Sequence, residues 1–298
     1  MHNLGLIESM FSQLVVSGIA SGAVYALMAL GMTILLRATT LINFSYGEFA
    51  MGAAYLAYIA NDSFHLPYPL AILVAFACLF VIGLLIERIF IRPLGAAAHL
   101  TMTMMIVAVS FLIKGIARFF FGRDFIRMPE LIEGEPLEFH NIVLLPQDLA
   151  VIAGSLLTVA IFFFFFEFTR FGKVMQAASQ TPRGAALVGI DVPGFQGIMW
   201  GVTAVMGALA GILIAPISLL HPEMGGKILL KGLAAMTLGG FGSLGGAIIG
   251  GFMLGILENI AGGYIESSLT DIAAFLVIIV VLLIRPGGLL GEWKPTSV

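Results

Sequence analysis

The chain is short of charge, of cysteine and of long polar segments, and each shortage narrows what it can be. Only 10% of its 298 residues are Asp, Glu, Lys or Arg, while 60% are hydrophobic. A soluble domain carries about a quarter charged residues. A chain with so little polar surface cannot cover itself in water, so the bilayer is its solvent. Its mean hydropathy of +1.07 points the same way. Fourteen Lys and Arg, thinly spread against 17 Asp and Glu, give no basic footprint for nucleic acid. The single cysteine, Cys78, excludes an intrachain disulfide and a cysteine-based metal site, and reads as a small core or lipid-facing residue. Met1 to Met10 contain no Lys or Arg. The basic region of a signal peptide is therefore missing, and the first apolar segment is expected to stay as a span. The longest polar segment, 122–148, is too short to enclose a soluble core. One membrane domain, 1–298, is expected, and its power source lies in the membrane or on another polypeptide. No H-E-x-x-H occurs, and no metal, cofactor or catalytic constellation is expected.

What is present is a succession of apolar stretches of spanning length, at 11–36, 43–60, 68–91, 100–121, 149–168, 195–220, 244–262 and 270–285. A ninth, 227–242, is short and crowded with glycine. It reads as a broken helix that crosses or a segment that dips and returns. The expected fold is all-α, a polytopic transmembrane helical bundle of eight or nine spans with broken or re-entrant Gly-rich segments. Basic residues mark the cytoplasmic connections: Arg88, Arg92 and His99; Arg170, Lys173 and Arg183; and Arg285 with Lys294. The acidic 122–148 segment, with Glu130, Glu133, Glu135 and Glu138, and the 61–67 break belong outside. Alternation then puts the N-terminus outside and the C-terminus inside, provided 227–242 crosses.

Many of the 36 glycines stand at small-xxx-small spacing, among them Gly18/Gly22, Gly207/Gly211 and Gly251/Gly255. Most such pairs are packing seams between helices in lipid. Their density over Leu238–Gly251 suggests an interrupted helix, where transporters often place substrate contacts; Gly240, Gly242 and Ser243 are candidates there. Gly240, Gly242 and Gly245 also satisfy G-x-G-x-x-G, but a membrane segment offers no βαβ unit, so a dinucleotide site is rejected. Gly226-Lys227 is not a phosphate loop, because His221 stands in place of its first glycine and Ile228 in place of its Ser/Thr. A second polar break lies at Leu41–Gly52.

Ionisable groups inside a bilayer are costly and default to functional hypotheses. Glu48, following Asn43, Ser45 and Tyr46, and Glu258, beside Asn259, are candidates for a translocation path, weighed evenly against buried structural hydrogen-bond roles. Glu87, Arg88 and Lys114 read instead as snorkelling or paired groups. Between two spans on the basic side, Thr181 is placed to cap a short amphipathic helix with Pro182 at its first position and Gly189 at its end. Such a helix either lies on lipid headgroups or docks in a groove on a cytosolic partner.

The segments Phe171-Gly-Lys-Val, Ala177-Ala and Ala185-Ala-Leu-Val-Gly-Ile-Asp191 resemble the cytoplasmic coupling loop of branched-chain amino acid ATP-binding-cassette permeases. Ile42-Asn-Phe-Ser-Tyr-Gly-Glu48, the glycine-rich Lys231–Gly251 stretch and Arg285-Pro-Gly-Gly-Leu-Leu-Gly291 agree, in order, along the whole chain. The length suits the shorter, LivH-like type. The resemblance implies pairing with a second, LivM-like permease and with two cytosolic ATP-binding subunits that carry the ATP and Mg. It also implies delivery by a periplasmic substrate-binding protein, in a bacterial inner membrane. It puts Gly172, Lys173, Ala177, Arg183, Ala185, Ala186, Gly189, Ile190 and Asp191 in the ATPase-coupling segment. The family often has Ala and His where this chain has Ser45 and Tyr46. Two alternatives stay open: a urea, amide or other small-solute permease of the same kind, and a stand-alone ion-coupled transporter using Glu48 or Glu258.

Overall fold

The computed structural model describes residues 2–95, 98–132, 134–139, 142–267 and 269–291. In chain order its helices are α1 (His2–Thr39), α2 (Tyr46–Asp62), α3 (Tyr68–Ile86), α4 (His99–Phe121), α5 (Pro146–Phe168), α6 (Arg170–Gln180), α7 (Pro182–Leu187), α8 (Val192–Ser218), α9 (Met224–Gly239), α10 (Leu244–Tyr264) and α11 (Leu269–Ile284). The only strands among the described residues, β1 (Leu137–Phe139) and β2 (Ile142–Leu144), pair antiparallel with Leu137 opposite Leu144. They are the one departure from the all-α expectation.

Among the described residues six helices are long and apolar enough to cross a membrane: α1 from Met10, α3 with its extension to Leu94, α4, α5, α8 and α10. The other three apolar stretches form the shorter α2, α9 and α11, of 17, 16 and 16 residues. The chain is therefore a multi-pass membrane protein. Burial separates the spanning helices by role. In α1 and α8, 83% and 72% of the most apolar window is buried, against 28% in α3 and 17% in α4. Helices apolar all round with mostly exposed surface face lipid, where no polar face is needed.

Two differences from the sequence reading bear on the candidate residues. The second span starts at Tyr46 rather than at residue 43. Asn43 Oδ1 accepts hydrogen bonds from the Ser45 backbone N–H (2.9 Å) and the Ser45 hydroxyl (2.6 Å). That local turn competes with the helix and holds off its start. In the cytoplasmic segment the structure has two helices, α6 and α7, and Thr181 is no side-chain cap. Its hydroxyl donates back to the Ala177 carbonyl of α6 (3.3 Å) and accepts no N–H from the first turn of α7. The caps that do form are Thr169, accepting from the Gly172 N–H at 3.2 Å, and Asp191, accepting from the Gly194 N–H at 3.1 Å.

The chain divides into two compact units. The first comprises Met1–Leu30, Pro129–Val159 and Leu230–Val298, and the second Gly31–Met128 and Ala160–Leu229. In the first, α10 packs on the N-terminal part of α1 along the seam Gly18, Gly22, Gly251, Gly255. A Cβ at Gly18 would lie 2.7 Å from the Ile256 Cα, and one at Gly22 2.9 Å from the Phe252 Cα. Only hydrogen in place of a side chain lets these backbones approach so closely. In the second unit α2, α3 and α8 pack mutually, with Gly211 of α8 against the Ala50 carbonyl of α2 and Gly83 of α3 against Trp200. Beyond Ile86, α3 widens into a π-helical turn, Glu87–Ile91, and ends in a 3₁₀ turn, Arg92–Leu94.

Candidate functional site

The second unit buries Asn43, Ser45, Tyr46 and Glu48 at the start of α2. Tyr46 fills the space left by Gly31 of α1 and Gly207 of α8, where its ring carbons lie 3.4–3.5 Å from the position of a Gly207 Cβ. Glu48 is only 2% exposed. Its Oε1 accepts from the Ser110 hydroxyl at 3.5 Å and faces Lys114 Nζ at 3.8 Å. Its Oε2 has no hydrogen-bond partner among the described residues. Lys114 Nζ donates at 3.0 Å to Glu223 Oε2, and Arg118 pairs with Glu223 Oε1. Hydrogen bonds from Arg118 and Lys114 hold the Glu223 carboxyl below its ordinary pKa. The result is a ladder of alternating charge from half-exposed Glu223 through Lys114 to buried Glu48. The N-terminus of α9 closes it, with a Gly225 Cβ position 2.8 Å from Glu48 Oε2.

Sequence reasoning found Glu48 here, treated Lys114 as snorkelling or paired, and missed Ser110, Arg118 and Glu223. A signal existed for the first two. Ser110, Lys114 and Arg118 recur every four residues and share one face of α4. Glu223 has no such signal, since it arrives from the turn after α8.

Alongside Glu48 an apolar groove of about 600 Å³ runs between α2, α3 and α4, lined by Met51, Tyr55, Leu56, Leu79 and Ile113 among others. Among the described residues Glu48 is the one charged side chain on its wall.

In the first unit, Glu258 of α10 is buried at 5% exposure. Its Oε1 pairs with Lys231 of α9 and accepts from the Tyr25 hydroxyl of α1 at 3.3 Å. The Lys231 ammonium also stands 5.4 Å from the centre of the Tyr25 ring. Asn259 Nδ2 donates to the Gly255 carbonyl at 2.9 Å and faces Ser21 Oγ at 3.5 Å. Gly240, Gly242 and Ser243 do not join this cluster. They form the break between α9 and α10, and Ser243 and Glu258 stand at separate points of α10, ~22 Å apart at 1.5 Å per residue. Gly240 and Gly242 have φ of +109° and +79°, a conformation that favours glycine. Ser243 caps α10 through the Gly246 N–H at 3.0 Å. The C-terminal turns fold onto this break, the Leu289 and Leu290 N–H groups each donating at 2.9 Å to the Leu238 and Gly239 carbonyls.

On the segment between α5 and α8, Gly172 and Ala185 are buried, whereas Lys173, Ala177, Ala186, Gly189 and Asp191 are exposed and Ile190 is half-buried. The Arg183 side chain lies outside the described residues. Gly189, at φ +85°, ends α7; its N–H and that of Ile190 donate to the Ala186 and Ala185 carbonyls at 3.1 and 3.0 Å. Just beyond, Arg92 grips buried Glu87 through Nε (3.1 Å) and Nη2 (2.8 Å), and donates to the Pro193 carbonyl at the start of α8 (2.8 Å). Among the described residues no cluster of His, Cys, Asp and Glu could hold a metal ion.

Residues 14–284 match the family described as branched-chain amino acid transport system / permease component. The chain belongs to that family. It is a transport permease subunit of the ATP-binding-cassette type, and such subunits are not themselves enzymes. It is 26% identical to the high-affinity branched-chain amino acid transport system permease protein LivH of Escherichia coli K12, covering 95% of this chain and 96% of that protein. It is 27% identical to the corresponding BraD of Pseudomonas aeruginosa over the same shares. To a probable LivH of Methanocaldococcus jannaschii it is 24% identical, covering 90% of this chain and 89% of the relative. As a component of a transport system, the permease works with partner subunits.

Proposed function

We propose that this permease imports branched-chain or related small amino acids across a bacterial inner membrane. In this reading ATP-binding subunits on other chains drive it by moving α6 and α7, a periplasmic binding protein delivers the solute, and a second, LivM-like permease completes the membrane part. The observation that carries the coupling half is the surface of the short α7. Leu187 and Val188 are 89% and 76% exposed, directly before the left-handed Gly189 and the Asp191 cap of α8. Apolar side chains presented side by side on a basic-side connection suit a groove on a partner. Arg92 then ties the start of α8 to Glu87 at the end of α3, so a push on α7 has a mechanical route into the spanning helices. The amino-acid half rests on the names of the relatives.

The test is uptake by proteoliposomes holding the permease pair and the ATP-binding subunits, with the binding protein outside. Leucine uptake that requires internal ATP and ignores a proton gradient is the expected result. Uptake that follows the gradient without ATP sinks the assignment in favour of an ion-coupled transporter. Gly189→Ile should uncouple ATP hydrolysis from uptake without loss of the protein. A Cβ there meets nothing within 4 Å, so the defect comes from φ alone. Normal uptake by this variant would remove the docking role.

A further inference from the structure

Where α3 ends and α8 begins, the second unit holds a cavity of about 310 Å³. Its polar wall comes from Thr39 and Thr40 at the end of α1, Glu87 and Arg92 in the turns after α3, His99 in the first turn of α4 and Gln196 near the start of α8. The one carboxylate among them is already neutralised. Arg92 holds both Glu87 oxygens, through Nε at 3.1 Å and Nη2 at 2.8 Å. The Thr39 and Thr40 hydroxyls donate to the Leu35 and Thr39 carbonyls at 2.8 and 2.6 Å. What is left over is a set of donors. The N–H groups on Nε and Nη2 of Arg92 go to Glu87 and Pro193, which leaves Nη1 without a partner among the described residues. The Gln196 amide and the exposed His99 ring have none there either. Helix α4 also begins here with no capping side chain and no acid in its first turn, so the positive end of its macrodipole is uncompensated.

We infer that this cavity is a binding site for a phosphate group, carried by an anionic phospholipid or free in solution. Arg92 Nη1, His99 and Gln196 donate to its oxygens, and the start of α4 favours its charge. A cation finds no free carboxylate here, because Arg92 covers Glu87. A zwitterionic amino acid would leave its ammonium unpaired for the same reason, so the cavity is no station for such a solute. The surroundings suit a lipid headgroup. Arg88 and Ile89 on the same turn as Glu87, and Leu100 beside His99, are all exposed. Basic and apolar surface thus meet at the end of spanning helices, where headgroups join acyl chains. A bound phosphate braces the guanidinium that ties the end of α3 to the start of α8.

Thermal unfolding of the full-length chain in detergent tests the site, with phosphatidylglycerol, phosphatidylcholine or inorganic phosphate added. At about a hundredfold excess over half-saturation, phosphatidylglycerol should raise Tm by about 4 °C and phosphatidylcholine by less than about 1 °C. His99→Glu separates binding from folding, since an acid in the first turn of α4 suits the helix but opposes a phosphate. Its Tm without additive should not fall, while the rise with phosphatidylglycerol should vanish; His99→Arg should keep the rise. Gln196→Leu leaves the Glu87–Arg92 pair in place and should weaken half-saturation about fivefold. A rise with inorganic phosphate alone, lost in His99→Glu, supports the site with free phosphate as its ligand. Equal rises with the two lipids and none with phosphate overturn it. So does a rise that neither His99→Glu nor Gln196→Leu reduces, or no rise with any additive.

Discussion

Gly18→Ala probes the seam between α1 and α10. The added Cβ would lie 2.7 Å from the Ile256 Cα and 3.1 Å from the Gly255 carbonyl oxygen, all rigid backbone. Carbon atoms pack at about 3.5–4.0 Å, so the helices must part by roughly 1 Å. Overpacking of this kind costs about 1–3 kcal/mol. One turn along α1, the Asn259–Ser21 contact is already at 3.5 Å, and a second turn on, Tyr25–Glu258 is at 3.3 Å. Parting the helices removes both, at about 1 kcal/mol net for bonds this long. The control is Gly245→Ala in α10, whose Cβ meets nothing within 4 Å. Both substitutions replace a helical glycine by alanine, so much of the propensity gain cancels and the difference between them reads chiefly the seam. It comes to about 2–4 kcal/mol, or roughly 5–10 °C in Tm for a chain of this size. The assay is thermal unfolding of the two purified variants in one detergent. Equal Tm values would refute the claim that close backbone approach at Gly18 holds the first unit together.

Two further substitutions test the charged clusters. Arg92→Met should destabilise by about 2 kcal/mol: it strands a Glu87 carboxylate that is 2% exposed, and the ~3–5 kcal/mol for a broken buried pair is discounted because Arg92 is 36% exposed. Thermal unfolding reads it, and Arg92→Met with Glu87→Gln should recover most of the loss. Glu223 gives a pH signature, because its pKa is lowered from 4.5 in the folded chain. A lowered pKa stabilises fully above 4.5, and that stabilisation disappears as pH falls through the lowered value. Unaltered protein should exceed Glu223→Gln in Tm at pH 7 by a small margin, since Glu223 is half exposed, and the two should converge in acid. A margin that grows in acid would contradict the pairing.

Residence in the membrane, the helical class and the placement of the apolar stretches were legible in the sequence, because they depend on composition and run length. The break at Leu238–Gly251 was legible too, since glycine density marks where a helix can end. The start of α2 was not: whether Asn43 extends a helix or turns back on Ser45 is decided by a side-chain bond that spacing does not show. The two polar clusters lay further out of reach. Glu48 and Glu258 were visible as misplaced charges, but their partners come from elsewhere in the chain. Lys114 reaches Glu48 from α4, and Glu223 reaches Lys114 from the turn before α9; Tyr25 and Lys231 reach Glu258 from α1 and α9. The sequence by itself determined which solvent this protein folds in and which groups are costly there. Only the tertiary structure decided which opposite charge meets each of them, because pairing in a bilayer is set by how helices cross rather than by their order.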